Sequence, residues 1–143
     1  MDKSITETDL ELIERAKLAI IARFDTERHH IGSALISSSG KVFTGIHVEA
    51  SVGRIALCAE ASAISRMRTD TADFVDTIVA VRCPRQGAKQ EEVEIVAPCG
   101  MCRELISDYG RDAMVILYEN GGTRKVPVKS LLPHRFEPSH GRL

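Results

Sequence analysis

The sequence contains no tryptophan, and only 4% of its 143 residues are aromatic. Proteins that bind single-stranded nucleic acid usually stack the bases on aromatic side chains, so no such platform is expected here. The formal net charge of −1 is also unfavourable, because surfaces that bind phosphates are normally clearly basic. We therefore expect no nucleic-acid partner.

Long apolar segments and an export signal are missing as well. No run approaches the roughly 20 apolar residues that a helix needs to cross a bilayer, and the first segment, MDKSITETDL, is polar and acidic, unlike a signal peptide. We expect a cytoplasmic protein without a membrane partner. A chain that is 43% apolar can bury a core, so we expect a single domain over residues 1–143.

The first half of the sequence predicts a helix and a hairpin. Apolar spacing predicts a helix from about Thr8 to Phe24, with Thr8 and Glu11 as its capping box. Two strands, Ile31–Ser37 and Lys41–Glu49, follow, and the turn-forming SSSG between them predicts that they pair.

The second half alternates helices and strands. LCAEASAISRM predicts a helix, and TIVAV and MVILY predict strands covered on both faces in a mostly parallel sheet. Between them, PRQGAKQEEVEI predicts a surface loop, and a helix should run from near Pro98 to Gly110. A turn at Asn120, a strand near Val126 and a last helical turn in SLLP follow. We predict an α/β fold, a three-layer α-β-α sandwich around a mixed five-stranded sheet.

Two triplets, His47–Glu49 and Cys58–Glu60, each combine a possible zinc ligand with a carboxylate. The first lies on the second strand, on the same face as Phe43 and Gly45, because residues two apart point the same way. The second opens a helix, where free N–H groups favour a thiolate. The second triplet is therefore the better candidate for a metal site.

The four cysteines are more often reduced, metal-bound or catalytic than paired in a chain without an export signal. Cys99 and Cys102 have the spacing that lets two thiolates chelate one metal, although a thioredoxin-like redox pair shares it. Two helices leaving the same sheet edge would bring them to Cys58, as three ligands of a zinc with one position open for water. We expect Cys83, at the end of an apolar run, to be a small buried core residue.

Cys-Ala-Glu followed by Pro-Cys-x-x-Cys resembles the zinc signature of the cytidine deaminase superfamily. IGSALISSSGKVFTGIHVEAS, PCGMCRELI and LLPHRF resemble further stretches of that family in the same order. The resemblance covers most of the chain from Ile31 to Phe136 and implies the cytidine deaminase fold. The short length is similar to that of homotetrameric, all-cysteine cytidine deaminases and of their relatives that act on blasticidin S.

The resemblance implies a zinc-dependent hydrolase that converts cytidine or deoxycytidine to the uracil nucleoside and ammonia, as in pyrimidine salvage. Cys58, Cys99 and Cys102 would bind zinc, which lowers the pKa of a bound water toward ~7. Glu60 would carry the proton from that water to the ring and then to the departing amine. The backbone N–H of Ala59 would hold the pyrimidine carbonyl.

Two histidines stand where the family has other residues. His47 occupies the place of an asparagine that, with the glutamate retained here as Glu49, holds the ribose hydroxyls. His29 aligns with a phenylalanine of the base pocket. Both histidines are candidate substrate contacts, with an exposed strand histidine and an ordinary loop histidine as the respective alternatives. These differences leave open a modified cytosine nucleoside, such as blasticidin S, as the substrate.

The residues that could balance the negative charge of the three thiolates also differ from those of the family. Many all-cysteine relatives have an arginine that bonds to the thiolates where this chain has Ala61, and Arg103 or Arg54 could replace it, with a surface charge as the alternative for Arg54. Phe136 matches an aromatic residue that packs near a neighbouring active site in tetramers, or it is a core residue. A different class of function, a non-catalytic zinc-stabilised ligand-binding module, would not need the carboxylate of Glu60.

Overall fold

The structure, a computed structural model, describes residues 1–138. Within them the chain forms three α-helices and six β-strands. The helices are α1 (Glu7–Arg23), α2 (Ala59–Asp70) and α3 (Gly100–Tyr109). The strands are β1 (Ile31–Ser37), β2 (Val42–Ile46), β3 (Val75–Arg82), β4 (Glu94–Val96), β5 (Met114–Glu119) and β6 (Gly122–Pro127). None of the described helices is long and apolar enough to cross a bilayer.

The sheet follows the order β2-β1-β3-β5-β6, and the short β4 also pairs with β3. Only β3 and β5, the two continuous apolar runs, pair in parallel. The other pairs are antiparallel, so the predicted mixed sheet is confirmed, although parallel pairing is confined to the two apolar runs. Hairpins connect β1 to β2 and β5 to β6, and a short turn can only reverse the chain direction.

Helices cover both faces of the sheet, which confirms the three-layer α-β-α sandwich. Because successive strand residues point to opposite faces, the strands supply apolar side chains to two cores. One core lies under α1 and consists mainly of Leu12, Ala16, Ile20, Ala34, Val79, Val81, Cys83 and Ile116. The other lies under α2 and α3 and consists mainly of Leu35, Phe43, Ile64, Met67, Ile78, Ile106 and Val115. Cys83 is buried as expected.

The start of α1 differs from the prediction. The capping box is formed by Thr6 and Asp9, whose side chains exchange hydrogen bonds with each other's backbone N–H groups. The predicted capping box, Thr8 and Glu11, has the same spacing two residues further along the chain, and it is not the one that forms. The ammonium group of Lys125 on β6 binds both carboxylate oxygens of the buried Asp9, and this ion pair favours the earlier start.

Two further segments differ from their predictions. The segment expected to be a surface loop contains β4, which pairs with Ala80–Arg82 of β3 and adds a sixth strand to the five predicted. Phe136 is exposed and does not belong to either core.

Candidate zinc centre and active site

The helix α2 begins directly after Cys58. The backbone of Cys58 is extended, with φ −67° and ψ 150°, and it is the N-cap residue of the helix. Two backbone hydrogen bonds of 2.9 Å between Val48 and Leu57 tie the segment before Cys58 to the end of β2. The start of α2 is therefore fixed against the segment directly after β2, which carries the other triplet, although the sequence had predicted that the strand continues to Glu49.

The helix α3 begins in the same way after Cys99. Cys99 is the N-cap residue, and its sulfur accepts a hydrogen bond from the backbone N–H of Cys102 at 3.5 Å. The two cysteines thus occupy the cap and the first turn of one helix, where unpaired N–H groups stabilise negative charge. The predicted opening of both helices by cysteines agrees with the structure.

The three sulfur atoms of Cys58, Cys99 and Cys102 all lie within 4.8 Å of one another. The Sγ atoms of Cys58 and Cys99 are 3.7 Å apart. Three sulfurs bound to one tetrahedral zinc at about 2.3 Å stand roughly 3.8 Å apart, so the cluster fits this ion. The donor set fits as well, because zinc accepts thiolates readily and three protein ligands leave one position open.

The pKa values of the cluster reflect the surroundings of each thiol. Burial raises the pKa of Cys58 and of Cys102, and the nearby Glu60 carboxylate acts on both in the same direction. Burial acts likewise on Cys99, but the N–H of Cys102 donates to its sulfur and keeps the pKa of Cys99 below its usual value. A bound dication favours all three thiolates and releases their protons.

Glu60 lies in the first turn of α2 and is only 5% exposed. Burial raises the pKa of this carboxyl group, which holds a proton more readily than an exposed glutamate does. A buried carboxyl beside three thiols is not needed to stabilise a helix end. A buried titratable group with a raised pKa in such a place is a candidate functional residue.

The strand β2 lies unusually close to α2 at Gly45. A Cβ atom at this position would stand 2.5 Å from the backbone nitrogen of Ala63 and 2.8 Å from the carbonyl oxygen of Ala59. Only glycine allows the two backbones to approach so closely. The contact brings the end of β2 beside the first turn of α2.

A cavity of about 450 Å³ lies at this junction. Its walls include His47 and Glu49 from the end of β2, together with Cys58, Ala59 and Glu60 from the start of α2. The remaining lining residues are Ile31, Ala56, Leu57, Arg82, Val96, Ala97 and Cys99. Both triplets therefore face one cavity, which is large enough for a small ligand.

The histidine-rich segment before β1 packs behind His47. The Nδ1 of His29 is 2.8 Å from the carbonyl oxygen of His47, to which it donates. The Nδ1 of His47 in turn accepts hydrogen bonds from the backbone N–H groups of His30, at 2.9 Å, and Ile31, at 3.2 Å. His29 thus contacts the backbone of a cavity residue and is not itself among the residues that line the cavity.

Neither candidate arginine compensates the thiolates. The guanidinium group of Arg103 donates to the carbonyl oxygens of Pro98, at 2.8 Å, and Leu131, at 3.5 Å. Arg54 lies in an exposed 3₁₀ turn. Among residues 1–138 no arginine side chain donates to a cysteine of the cluster, so neither possible replacement for the family's arginine is in place, and the surface-charge alternative for Arg54 is confirmed.

Sequence reasoning missed one charged residue of the cavity wall, Arg82. It ends β3, and its register partner Ile31 also lines the cavity. An arginine that terminates a buried apolar strand was the available signal, but the strand pairing was needed to place it. A second hollow, of about 480 Å³, lies at the opposite end of β3, around Val75 and Arg135, and includes no cysteine.

The comparisons with known proteins agree with this site. Residues 6–118 match the family described as the cytidine and deoxycytidylate deaminase zinc-binding region. The chain is 39% identical to a blasticidin-S deaminase from Bacillus cereus over 133 residues, which cover 93% of this chain and 95% of the relative. It is 31% identical to a probable cytidine deaminase from Dictyostelium discoideum, covering 74% of this chain and 67% of the relative.

A solved structure is similar over nearly the whole chain. The crystal structure of a cytidine deaminase from Burkholderia pseudomallei superposes with a TM-score of 0.71 and 28% identity. The match covers 92% of this chain and all of the other. The mixed sheet with helices on both faces is thus the fold of that enzyme.

Proposed function

Since this chain belongs to the zinc-binding cytidine and deoxycytidylate deaminase family, we propose that it hydrolyses the exocyclic amino group of a cytosine nucleoside, cytidine or deoxycytidine first. The products are the uracil nucleoside and ammonia. The observation that carries the proposal is the buried Glu60 beside the three-sulfur cluster at one cavity. A non-catalytic zinc-stabilised module would gain nothing from a carboxyl group buried there.

Cys58, Cys99 and Cys102 hold the zinc ion in this proposal. Zinc with three protein ligands keeps an open position and supplies Lewis-acid activation of a water molecule near neutral pH. The N-terminal ends of α2 and α3 stabilise the three thiolates through their free N–H groups. Among residues 1–138 no arginine side chain donates to a sulfur of the cluster, so these backbone groups are the direct compensation of thiolate charge.

Glu60 is the proton carrier. Its carboxylate accepts a proton from the attacking water and delivers it to the ring nitrogen N3. It then takes the proton of the new hydroxyl group at C4 and delivers it to the departing amine. A buried carboxyl suits this work because it is shielded from bulk water. The N–H of Ala59, in the first turn of α2, lacks an intrahelical partner and holds the pyrimidine carbonyl oxygen.

His47 and Glu49 bind the sugar side of the nucleoside. Both line the cavity at the end of β2, across from the first turn of α2. His29 supports this contact by donating to the carbonyl oxygen of His47. An additional direct contact of His29 with the base would require its ring to turn away from that carbonyl.

Blasticidin S is the second candidate substrate. The similarity to the Bacillus cereus blasticidin-S deaminase is higher, and spans more of the chain, than that to the Dictyostelium cytidine deaminase. The histidine in place of the family's asparagine changes the sugar side of the site, which is where a modified nucleoside would differ from cytidine. The two candidates share the cytosine ring and the same reaction.

Ammonia release from a panel of cytidine, deoxycytidine and blasticidin S tests the proposal. We expect zinc-loaded protein to release ammonia from at least one of the three, and the ratio of kcat/KM values to identify the preferred sugar. Protein that carries zinc but releases no ammonia from any of them would contradict the proposed function. We further propose that the chain is a cytoplasmic homotetramer, and light scattering of the same preparation tests the oligomeric state.

A further inference from the structure

We propose that His47 is held as the neutral tautomer with its proton on Nε2, and that it offers the nucleoside one hydrogen-bond donor and no acceptor. The inference deepens the proposed function, on which the identity of the ligand rests. It makes His47 a specificity-determining residue whose state is set by the segment before β1. The tautomer itself follows from contacts within the protein.

The Nδ1 atom of His47 faces two backbone N–H groups. The amide of His30 lies 2.9 Å from it and that of Ile31 lies 3.2 Å from it. A backbone N–H can only donate, so Nδ1 must accept with its lone pair and carries no proton. The proton of the neutral ring is therefore on Nε2.

The remaining polar atoms of His47 are also engaged, which fixes the residue. Its N–H donates to the carbonyl oxygen of Ile31 at 3.0 Å, and its own carbonyl oxygen accepts from Nδ1 of His29 at 2.8 Å. The ring packs beside that of His30, with the centroids 5.3 Å apart. Of the polar atoms of His47, only Nε2 makes no hydrogen bond within residues 1–138. His47 lines the cavity.

The surroundings also keep the ring neutral. Burial lowers the pKa of His47, the neighbouring His30 and His29 lower it further, and Glu49 acts in the opposite direction. The other charged groups of the cavity are Arg82 at the end of β3 and Glu60 on α2. A proton on Nδ1 would also point at two backbone N–H groups and break both hydrogen bonds.

A donor-only contact has a chemical consequence for the ligand. The carboxylate of Glu49, on the same wall, can only accept. A hydroxyl group satisfies both at once, because it donates to Glu49 and accepts from Nε2–H of His47. An ammonium group cannot, because it has no lone pair for His47. The pair therefore selects a hydroxylated sugar-side group.

The first experiment determines the tautomer in zinc-loaded protein with ¹⁵N-labelled histidine. Long-range ¹H–¹⁵N spectra distinguish a nitrogen that carries a proton from one that does not. At neutral pH we expect Nδ1 of His47 to be unprotonated and Nε2 to be protonated, whatever nucleosides the enzyme accepts. A proton on Nδ1 would overturn the inference, even if the deaminase activity is confirmed.

The second experiment compares two variants, using the nucleoside of the panel that is turned over best. In His47→Asp a carboxylate oxygen can still accept from the two amides, but the side chain offers the nucleoside no donor. We expect zinc content and thermal stability close to wild type, kcat little changed and KM raised about 5-fold, the usual worth of one hydrogen bond. An unchanged KM would overturn the role in specificity.

His30→Gln is the matched control. It keeps the backbone N–H that binds His47, and its side-chain amide can still donate to the carbonyl oxygen of Thr26, as Nε2 of His30 does. We expect its KM to equal that of the wild type. If His30→Gln raised KM as much as His47→Asp, general loosening of the segment would explain the effect and the inference would fail.

Discussion

The close approach of β2 and α2 at Gly45 leads to a prediction about a single methyl group. In Gly45→Ala the new Cβ would stand 2.5 Å from the nitrogen of Ala63 and 2.8 Å from the carbonyl oxygen of Ala59. Both obstacles are backbone atoms, which cannot turn away as a side chain can. The helix must therefore move relative to the strand.

The size of the movement follows from these distances. An ordinary contact is at least 3.4 Å, so the two backbones must separate by about 1 Å. Overpacking of this kind typically costs ~1–3 kcal/mol of unfolding free energy. Because α2 begins at the zinc site, the shift also moves Cys58 and Glu60 relative to β2, and a misplacement of about 1 Å can cost ~10²-fold in turnover.

Denaturant unfolding and ammonia release measure the two effects. The matched control is Gly53→Ala, because nothing lies within 4 Å of a Cβ at Gly53 and its φ is not positive. We expect Gly53→Ala to resemble the wild type in stability and turnover. Gly45→Ala should have a lower unfolding free energy and a lower turnover rate. If the two variants behaved alike, the packing argument for the site would be refuted.

Two further changes separate the metal site from the scaffold. Cys99→Ala should abolish zinc binding because two thiolates remain, whereas Cys83→Ala, in a core outside the cluster, should retain zinc in metal analysis. Lys125→Met leaves the carboxylate of Asp9 buried without its partner and should cost about 3 kcal/mol at pH 7, against under about 1 kcal/mol for Lys129→Met in an exposed pair. Burial raises the pKa of Asp9, but hydrogen bonds with Lys125 and Thr6 outweigh this effect and lower that pKa. The stabilisation by the ion pair is therefore present above pH 3.8. The loss of unfolding free energy in Lys125→Met should become smaller as the pH falls below that value.

Much of the fold could be predicted from the sequence because local patterns and long-range packing agree there. The hairpin, the apolar runs of β3 and β5, and the helices beginning at Cys58 and Cys99 all have strong local signals. Two regions lacked such signals. The strand β4 has only three residues and pairs along β3, and the start of α1 is favoured by the ion pair of Asp9 with Lys125, more than a hundred residues away.

In the candidate site, too, local sequence signals place some residues and only the folded sheet places the others. The side chains of the three cysteines and Glu60 could be placed because a helix start fixes their directions. The roles of His47 and Arg82 depend on which atoms lie opposite them. Those atoms belong to the segment before β1 and to the end of β3, which only the folded sheet brings to the cavity.

The turnover of zinc-loaded Glu60→Gln, measured beside the wild type with the preferred nucleoside, tests the central claim most directly. The amide keeps the shape of the side chain but cannot carry a proton between water, ring and amine. We expect full zinc content and a loss of ~10²–10⁴-fold in kcat. A zinc-loaded variant that releases ammonia within about 3-fold of the wild-type rate would contradict the role of Glu60 and, with it, the proposed mechanism.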